Sequence, residues 1–73
     1  MTIGERVRAR RELLHMSQED VARRAGVSLN QINRLERGVI DSPRFTTMVS
    51  IAHSLDMRVE DFVEEEHRVP LAM

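Results

Sequence analysis

Apolar residues recur along this chain at intervals of three and four, which is the spacing of one face of an α-helix. The pattern predicts a first helix over residues 3–14, two short helices within residues 18–37, and a fourth helix over residues 44–54. A last apolar group predicts a short fifth helix over residues 59–65. No stretch alternates apolar and polar residues as a half-buried strand does. The sequence therefore predicts an all-α fold, a compact domain of five helices.

The same spacing indicates which side chains form the core. The positions expected to face inward in the first helix are Ile3, Val7 and Leu14, and those in the fourth are Phe45, Met48, Ile51, Ala52 and Leu55. Ser42 is expected to cap the fourth helix, with Pro43 at its first position, where a missing N–H costs nothing. A chain of 73 residues is near the lower limit for a self-sufficient core.

Residues 18–37 carry the clearest local signals in the sequence. Ser17 can cap the first of the two short helices, and Asp20 stands three residues later, where a capping box has its acid. Gly26 ends this helix at a point where a left-handed residue is needed, and Ser28 caps the next one. The apolar face of the first helix consists of Val21, Ala22 and Ala25. The segment thus predicts two helices around a tight turn.

The helix that follows Ser28 has two different faces. Ile32 and Leu35 are spaced i, i+3 and face inward. Its outward face carries Leu29, Asn30, Asn33, Arg34 and Arg37. Amide and guanidinium groups on an exposed helix face suit hydrogen bonds to base edges. This face is the candidate functional site, although a single exposed leucine is also common on ordinary protein surfaces.

These residues resemble the helix-turn-helix of the phage repressor and Cro family, the Xre-like regulators, over roughly residues 3–63. The matching positions are Gln18, Ala22, Gly26, Ile32, Leu35, Glu36 and Gly38, with Arg11 upstream and Pro43, Arg44 and Phe45 downstream. The resemblance implies a lambda-repressor-like domain over residues 1–66, followed by a short tail over residues 67–73. It also implies that double-stranded DNA is the partner.

The resemblance implies roles for individual residues as well. Base contacts are expected from Leu29, Asn30, Asn33 and Arg34. Phosphate or minor-groove contacts are expected from Arg11, Gln18, Ser28, Arg37 and Arg44. A partly buried ion pair between Arg11 and Glu36 is expected to fix the angle of the recognition helix. The alternatives are a solvated Gln18 and an Arg44 that only faces solvent.

Two regions depart from the family pattern. Asp56 stands where a glycine is common, although aspartate tolerates the left-handed conformation better than most residues. Arg58 stands where a Ser or Thr cap is common, so the fifth helix is expected to start poorly. In the loop before the fourth helix, Val39 and Ile40 replace residues that are commonly basic or polar. This loop is therefore expected to make fewer phosphate contacts and could belong to a protein interface.

Charge is distributed unevenly, although the net charge is only −1. Residues 1–45 hold nine Arg against six acidic residues, or +3, whereas residues 46–73 hold two Arg against six acidic residues, or −4. A basic portion beside an acidic one suggests one surface for phosphate and another turned away from it. All eleven basic residues are Arg. Arg suits forked contacts to guanine or phosphate, but genomic base composition is the preferred explanation of this bias.

Composition argues against several other functions. The chain has no Cys, which excludes a disulfide or thiolate metal site and fits a reducing cytoplasm, the expected location. His15, His53 and His67 lie too far apart in the sequence, without carboxylate support, to suggest a metal site. No catalytic pattern or phosphate-cradling glycine loop is present, so we expect neither an enzyme nor a cofactor. No apolar run is long enough to span a membrane.

The favoured interpretation is a transcriptional regulator that binds a pseudo-palindromic operator as a homodimer, because contact with one half-site would be weak. The dimer interface is expected to come from Ile40, Val59, Phe62 and Val63. An alternative is a protein-interaction module of the same fold, such as an antitoxin. Its main partner would then be another protein, for example a toxin or RNA polymerase. Binding to bulk DNA with a steep salt dependence would favour the regulator.

Overall fold

The computed structural model describes residues 2–39 and 43–62 of the chain. Its helices are α1 (Ile3–Leu13), α2 (Gln18–Ala25), α3 (Leu29–Glu36) and α4 (Phe45–Ser54), followed by one 3-10 turn, η1 (Val59–Phe62). This described part contains no strand, which confirms the all-α prediction. The fifth helix is a 3-10 turn where an α-helix was expected. The rest of that predicted helix, residues 63–65, and the tail over residues 67–73 lie outside the described residues.

The first three helices each begin with a complete capping box. The cap hydroxyl accepts a hydrogen bond from the N–H three residues on, and the side chain of that residue accepts one from the cap's own N–H. In α2 the Asp20 N to Ser17 Oγ distance is 3.0 Å and the Ser17 N to Asp20 Oδ2 distance is 2.9 Å. The predicted caps at Ser17 and Ser28 are confirmed. Sequence reasoning missed the box of Thr2 and Glu5, although its spacing was present.

The turn after each of the four α-helices contains a residue in the left-handed region, and after α3 this residue is Gly38, with a φ of +80°. Gly26 has a φ of +72° and caps α2, as predicted. Asp56 follows α4 with a φ of +56°, so aspartate does adopt the conformation that a glycine would take there. His15, between α1 and α2, has a φ of +56° as well, and no feature of the sequence signalled it. A left-handed conformation destabilises a residue with a Cβ atom by roughly 1–2 kcal/mol.

The start of α4 differs from the prediction. Its N-cap is Arg44, which has an extended backbone (ψ 150°) and makes no side-chain capping bond, because a guanidinium has no acceptor. Pro43 therefore precedes the cap instead of occupying the first helical position. The predicted cap residue, Ser42, lies outside the described residues. At η1 the Arg58 side chain cannot cap either, but the Arg58 N–H donates to Asp61 Oδ2 at 3.0 Å, which is half of a capping box.

A small core joins all four helices and η1. Helix α2 packs on α3 and α4, α1 packs on α3, and η1 contacts α1 and α4. The buried apolar residues are Val7, Val21, Ala22, Ile32, Leu35, Ile51, Ala52, Leu55 and Phe62. Ile3, Ala25, Met48 and Val59 are among the half-buried residues packed against them. The core thus draws on the predicted face of every helix.

Two predicted core residues do not belong to it. Phe45 is 69% exposed, and Leu14 also lies on the surface. Phe45 is the first residue of α4, one position after the cap, where the helix has not yet reached the packed layer. Leu14 follows the last residue of α1 and immediately precedes the left-handed turn at His15, which directs the chain away from the core face. Helical periodicity predicted both positions wrongly because each lies at a helix end.

Phe62 was predicted to contact a second copy of the chain, and the structure contradicts this. Its side chain is only 1% exposed and is the largest fully buried side chain among the described residues. It closes the core between α1 and α4, where a small domain gains most from burying an aromatic ring. Val59 is half-buried and packs against the same core. The other two predicted interface residues, Ile40 and Val63, lie outside the described residues.

Helix α1 is fixed near both ends by contacts that were not predicted from the sequence. Near its start, a Cβ atom on Gly4 would collide with the backbone carbonyl oxygen of Leu35, so only a glycine lets α1 approach the end of α3 this closely. Farther along, Arg10 Nε donates to the carbonyl of Leu55 at 3.0 Å, and Nη2 donates to that of Asp56 at 3.3 Å. These bonds satisfy carbonyls just past the end of α4. Helix α1 therefore ties α3 to α4.

Candidate nucleic-acid interface

Helix α3 presents a polar outer face on the side away from the core. The term outer face refers below to four exposed residues. Three of them, Leu29, Asn30 and Arg34, lie in α3, and the fourth, Arg37, is its C-cap. The inward residues Ile32 and Leu35 are both buried. Within the described residues Arg34 forms no ion pair, so its guanidinium is available to a partner. The face offers amide donors and acceptors, guanidinium groups and one apolar side chain.

The predicted ion pair between Arg11 and Glu36 is present and sits directly behind this face. Arg11 Nε donates to Glu36 Oε2 at 2.8 Å and Nη2 donates to Oε1 at 2.9 Å, so the pair is bidentate. The side chains are 14% and 4% exposed, respectively. The hydrogen bond to Glu36 raises the pKa of the Arg11 guanidinium above its ordinary value. Arg11 Nη1 also donates to the carbonyl of Met16 at 3.0 Å. One guanidinium thus joins α1, the loop before α2 and the end of α3.

Two side chains that were predicted to contact DNA extend this network. Gln18 Nε2 donates to Glu36 Oε1 at 3.1 Å, and Asn33 Nδ2 donates to Gln18 Oε1 at 3.5 Å. At the outer end, Arg37 Nη1 donates to Asn33 Oδ1 at 3.5 Å. Gln18 and Asn33 are both half-buried. The sequence separations of 18 and 15 residues carried no local signal that these side chains would meet.

A helix-turn-helix family model matches residues 7–62, which is most of the chain. This range contains α2, the turn at Gly26 and α3, whose geometry is described above. The chain belongs to the helix-turn-helix family. The resemblance to repressor-type regulators drawn from the sequence is thereby confirmed.

Relatives and solved structures agree with this assignment. An uncharacterized HTH-type transcriptional regulator of Sinorhizobium fredii, y4dL, is 33% identical over 57 residues, covering 78% of this chain and 29% of that protein. The chain spans about a third of the length of the curated relatives that it matches. The P22 c2 repressor bound to a synthetic operator superposes with a TM-score of 0.80 at 26% identity, covering 88% of this chain and 96% of the repressor. The SinR–SinI protein complex contains a chain with a TM-score of 0.82 at 26% identity, covering 90% of this chain and 64% of that one.

The helix-turn-helix match also confirms that this domain is not an enzyme, because the family and these repressor structures are DNA-binding regulators. Among the described residues, no group of three or more His, Asp or Glu side chains comes together in a way that could hold a metal ion. In the same part of the chain, no helix has the length and apolar character needed to cross a membrane.

The predicted phosphate contacts fall into two groups within this helix-turn-helix. Arg37 and Arg44 are exposed, and no ion pair within the described residues engages either of them. In the other group, the Ser28 hydroxyl accepts the Gln31 N–H as a cap, and Gln18 and Arg11 are already bonded to Glu36. Arg11 uses three of its five N–H donors inside the protein, which leaves two for another acceptor.

Proposed function

We propose that this chain is the DNA-binding domain of a transcriptional regulator that inserts α3 into the major groove of its operator. The observation that carries the proposal is the outer face of α3, whose side chains are exposed while the helix is held from behind by a nearly buried, bidentate ion pair. An α-helix fits the major groove of B-DNA, where each base pair presents a distinct pattern of donors and acceptors. A similar fold is seen bound to an operator in the P22 c2 repressor.

The chemistry of the outer face suggests which groups read bases. Arg34 can donate two hydrogen bonds to O6 and N7 of a guanine. Asn30 can pair through its amide with N6 and N7 of an adenine, and the apolar side chain of Leu29 suits a thymine methyl. All three side chains are exposed on the same helix. Truncating either polar group should reduce the preference for the operator without removing general affinity for DNA.

Contacts to the sugar-phosphate backbone would come from the start of α2 and from arginines beside α3. The first N–H groups of a helix have no intrahelical acceptor and favour an anion. In α2, Ser17 uses the Asp20 N–H, which leaves the N–H groups of Gln18 and Glu19 for a phosphate. Arg44 and Arg37 add positive charge at the two sides of the loop that follows α3. Replacing either arginine by alanine should therefore weaken binding to every DNA sequence.

We further propose that the operator complex is a homodimer. Two copies would place their recognition helices about 34–36 Å apart, one turn of the duplex. With Phe62 excluded by burial, support comes from the connection between α3 and α4, where Val39 is 53% exposed and Phe45 is 69% exposed. Apolar side chains exposed at this level in a small domain suit contact with a second copy.

Selection from randomised duplexes, followed by salt titration on the enriched sequence, tests the proposal. We expect a two-fold symmetric consensus and an observed affinity that falls steeply with salt. Enrichment of nothing above background, or an affinity that does not depend on salt, would contradict it. Arg34→Ala should weaken the free energy of binding to the enriched sequence by about 1–3 kcal/mol and change binding to random DNA little.

A second candidate, a protein-interaction role, is favoured by the same exposed Val39 and Phe45. A chain similar in fold occurs in the SinR–SinI protein complex, so this architecture is compatible with a protein partner. Substituting Phe45 by Ser separates the two roles. Under the first proposal, monomeric half-site binding survives and dimer-dependent affinity falls. Under the second, binding of the protein partner is lost and the chain has no salt-dependent affinity for DNA.

A further inference from the structure

The side-chain hydrogen bonds behind α3 form a linear series in which every donor and acceptor is fixed by its neighbour. Glu36 is the inner end, and as the carboxylate partner of Arg11 it can only accept hydrogen bonds. Gln18 must therefore present its Nε2 amide group to Glu36, which turns its Oε1 toward α3. That oxygen can only accept, so Asn33 must present Nδ2 to it and turn Oδ1 outward. Arg37 Nη1 donates to this Oδ1 at the outer end.

Both polar groups of the Asn33 side chain already take part in these hydrogen bonds. Its oxygen is held by a guanidinium and its nitrogen by a glutamine oxygen, at 3.5 Å in both cases. To pair bidentately with an adenine, the side chain would have to offer both groups to the same base edge. The bonds to Gln18 and Arg37 leave one Nδ2 hydrogen and one Oδ1 lone pair for this purpose, and rotating the side chain to bring them to a base would weaken both bonds. Asn33 is also half-buried, whereas Asn30 is exposed on the outer face.

We propose that Asn33 is a positioning residue and not a base-reading one: it holds Gln18 and Arg37 in the orientation in which both meet the DNA backbone. The two residues that it joins lie on different helices, at the start of α2 and at the C-cap of α3. With Gln18 fixed by Glu36 and Asn33, one N–H of its amide remains for a phosphate oxygen. The inference rests on the proposed function, because it assigns a role within the same interface.

Substitution at Asn33 tests this, with Asn30→Ala as the matched control. Because one modest hydrogen bond contributes roughly 0.5–1.5 kcal/mol, equivalent to about 2- to 10-fold in affinity, we expect Asn33→Ala to weaken operator and random duplex by the same factor in that range. Asn30→Ala should instead weaken the operator selectively. In a Gln18→Ala background, Asn33→Ala should cost less than in the wild type, because one of its two partners is gone. A selective loss on the operator, or strict additivity with Gln18→Ala, would overturn the proposal.

A second variant and a second readout keep the test independent of folding and of DNA binding. Asn33→Asp keeps the acceptor for Arg37 but places an oxygen against Gln18 Oε1, so it should disturb Gln18 while preserving the contact to Arg37. The side-chain amide signals of Gln18 in the NMR spectrum of the free protein report this directly. We expect them to shift in Asn33→Ala and Asn33→Asp and to stay in place in Asn30→Ala. Unchanged Gln18 signals in all three variants would overturn the proposal. A wild type without affinity for DNA would instead contradict the proposed function.

Discussion

The inner and outer sides of α3 use polar groups in opposite ways. On the inner side, the Glu36 carboxylate is 4% exposed and accepts three hydrogen bonds, from Arg11 and Gln18. On the outer side, Asn30 and Arg34 are exposed and extend into solvent. A buried charge is tolerated only when its partners are complete, whereas an exposed one is free to change partners. The inner side therefore sets where α3 lies, and the outer side remains available for binding.

The largest effect should follow from breaking the inner pair. Glu36→Ala would leave Arg11 largely buried and unpaired, and we expect it to lower the free energy of unfolding by about 3–5 kcal/mol. Arg11→Ala should act similarly. Urea unfolding of the two single variants and the double variant measures the coupling. We expect the double variant to be less harmful than the summed singles, because no charge is stranded. Strict additivity would show that the two residues do not stabilise each other.

Gly4→Ala should come next, because it pushes α1 away from the end of α3. The added methyl would collide with the Leu35 carbonyl oxygen, and we expect a loss of about 1–3 kcal/mol, typical of overpacking. Gly26→Ala is the matched control, since a Cβ there meets no atom within 4 Å and only the positive φ is strained. Thermal unfolding compares them. A Gly4→Ala variant as stable as the wild type would mean that α1 can shift without cost.

Substitutions on the outer side should leave stability intact and change binding instead. Asn30→Ala and Arg34→Ala should each lose about 1–3 kcal/mol of specific DNA binding. Their unfolding free energies should stay within about 0.5 kcal/mol of the wild type, because both side chains are exposed. Fluorescence anisotropy with operator duplex and with random duplex separates specific from non-specific DNA binding. An equal loss on both duplexes would remove these residues from base reading.

The smallest effect concerns the first turn of α2 at low pH. Hydrogen bonds from the Ser17 backbone N–H and hydroxyl, with a further contribution from Arg23, lower the pKa of Asp20. A carboxyl whose pKa is lower in the folded state stabilises the fold at pH values above its unfolded pKa of about 3.9, and this stabilisation is lost as the pH falls through the folded value. Asp20→Asn should therefore flatten the decline in melting temperature below about pH 4. Glu19→Gln, in the same turn, is the control. If the melting temperatures of Asp20→Asn and the wild type depended on pH in the same way, the Asp20 carboxylate would not contribute to stability as proposed.

Local hydrogen bonds were the part of this protein that the sequence determined. The caps at Ser17 and Ser28 and the turn at Gly26 involve groups at most a few residues apart, so their spacing is visible in the chain itself. The separation of α3 into a buried and a polar side follows from helical period alone. The pairing of Arg11 with Glu36 came from the resemblance to a family and not from local spacing.

Tertiary packing decided what lies at helix ends and between helices. Phe45 and Phe62 are both aromatic residues at apolar positions, yet one is exposed and the other buried, because only Phe62 meets α1 and α4. The need for a glycine at position 4 depends on the backbone of α3, which lies 31 residues away, at Leu35. Gln18 and Asn33 meet only because α2 and α3 cross at the turn. Periodicity specifies which face of a helix is apolar, but the neighbour that covers each residue is set by how the helices pack.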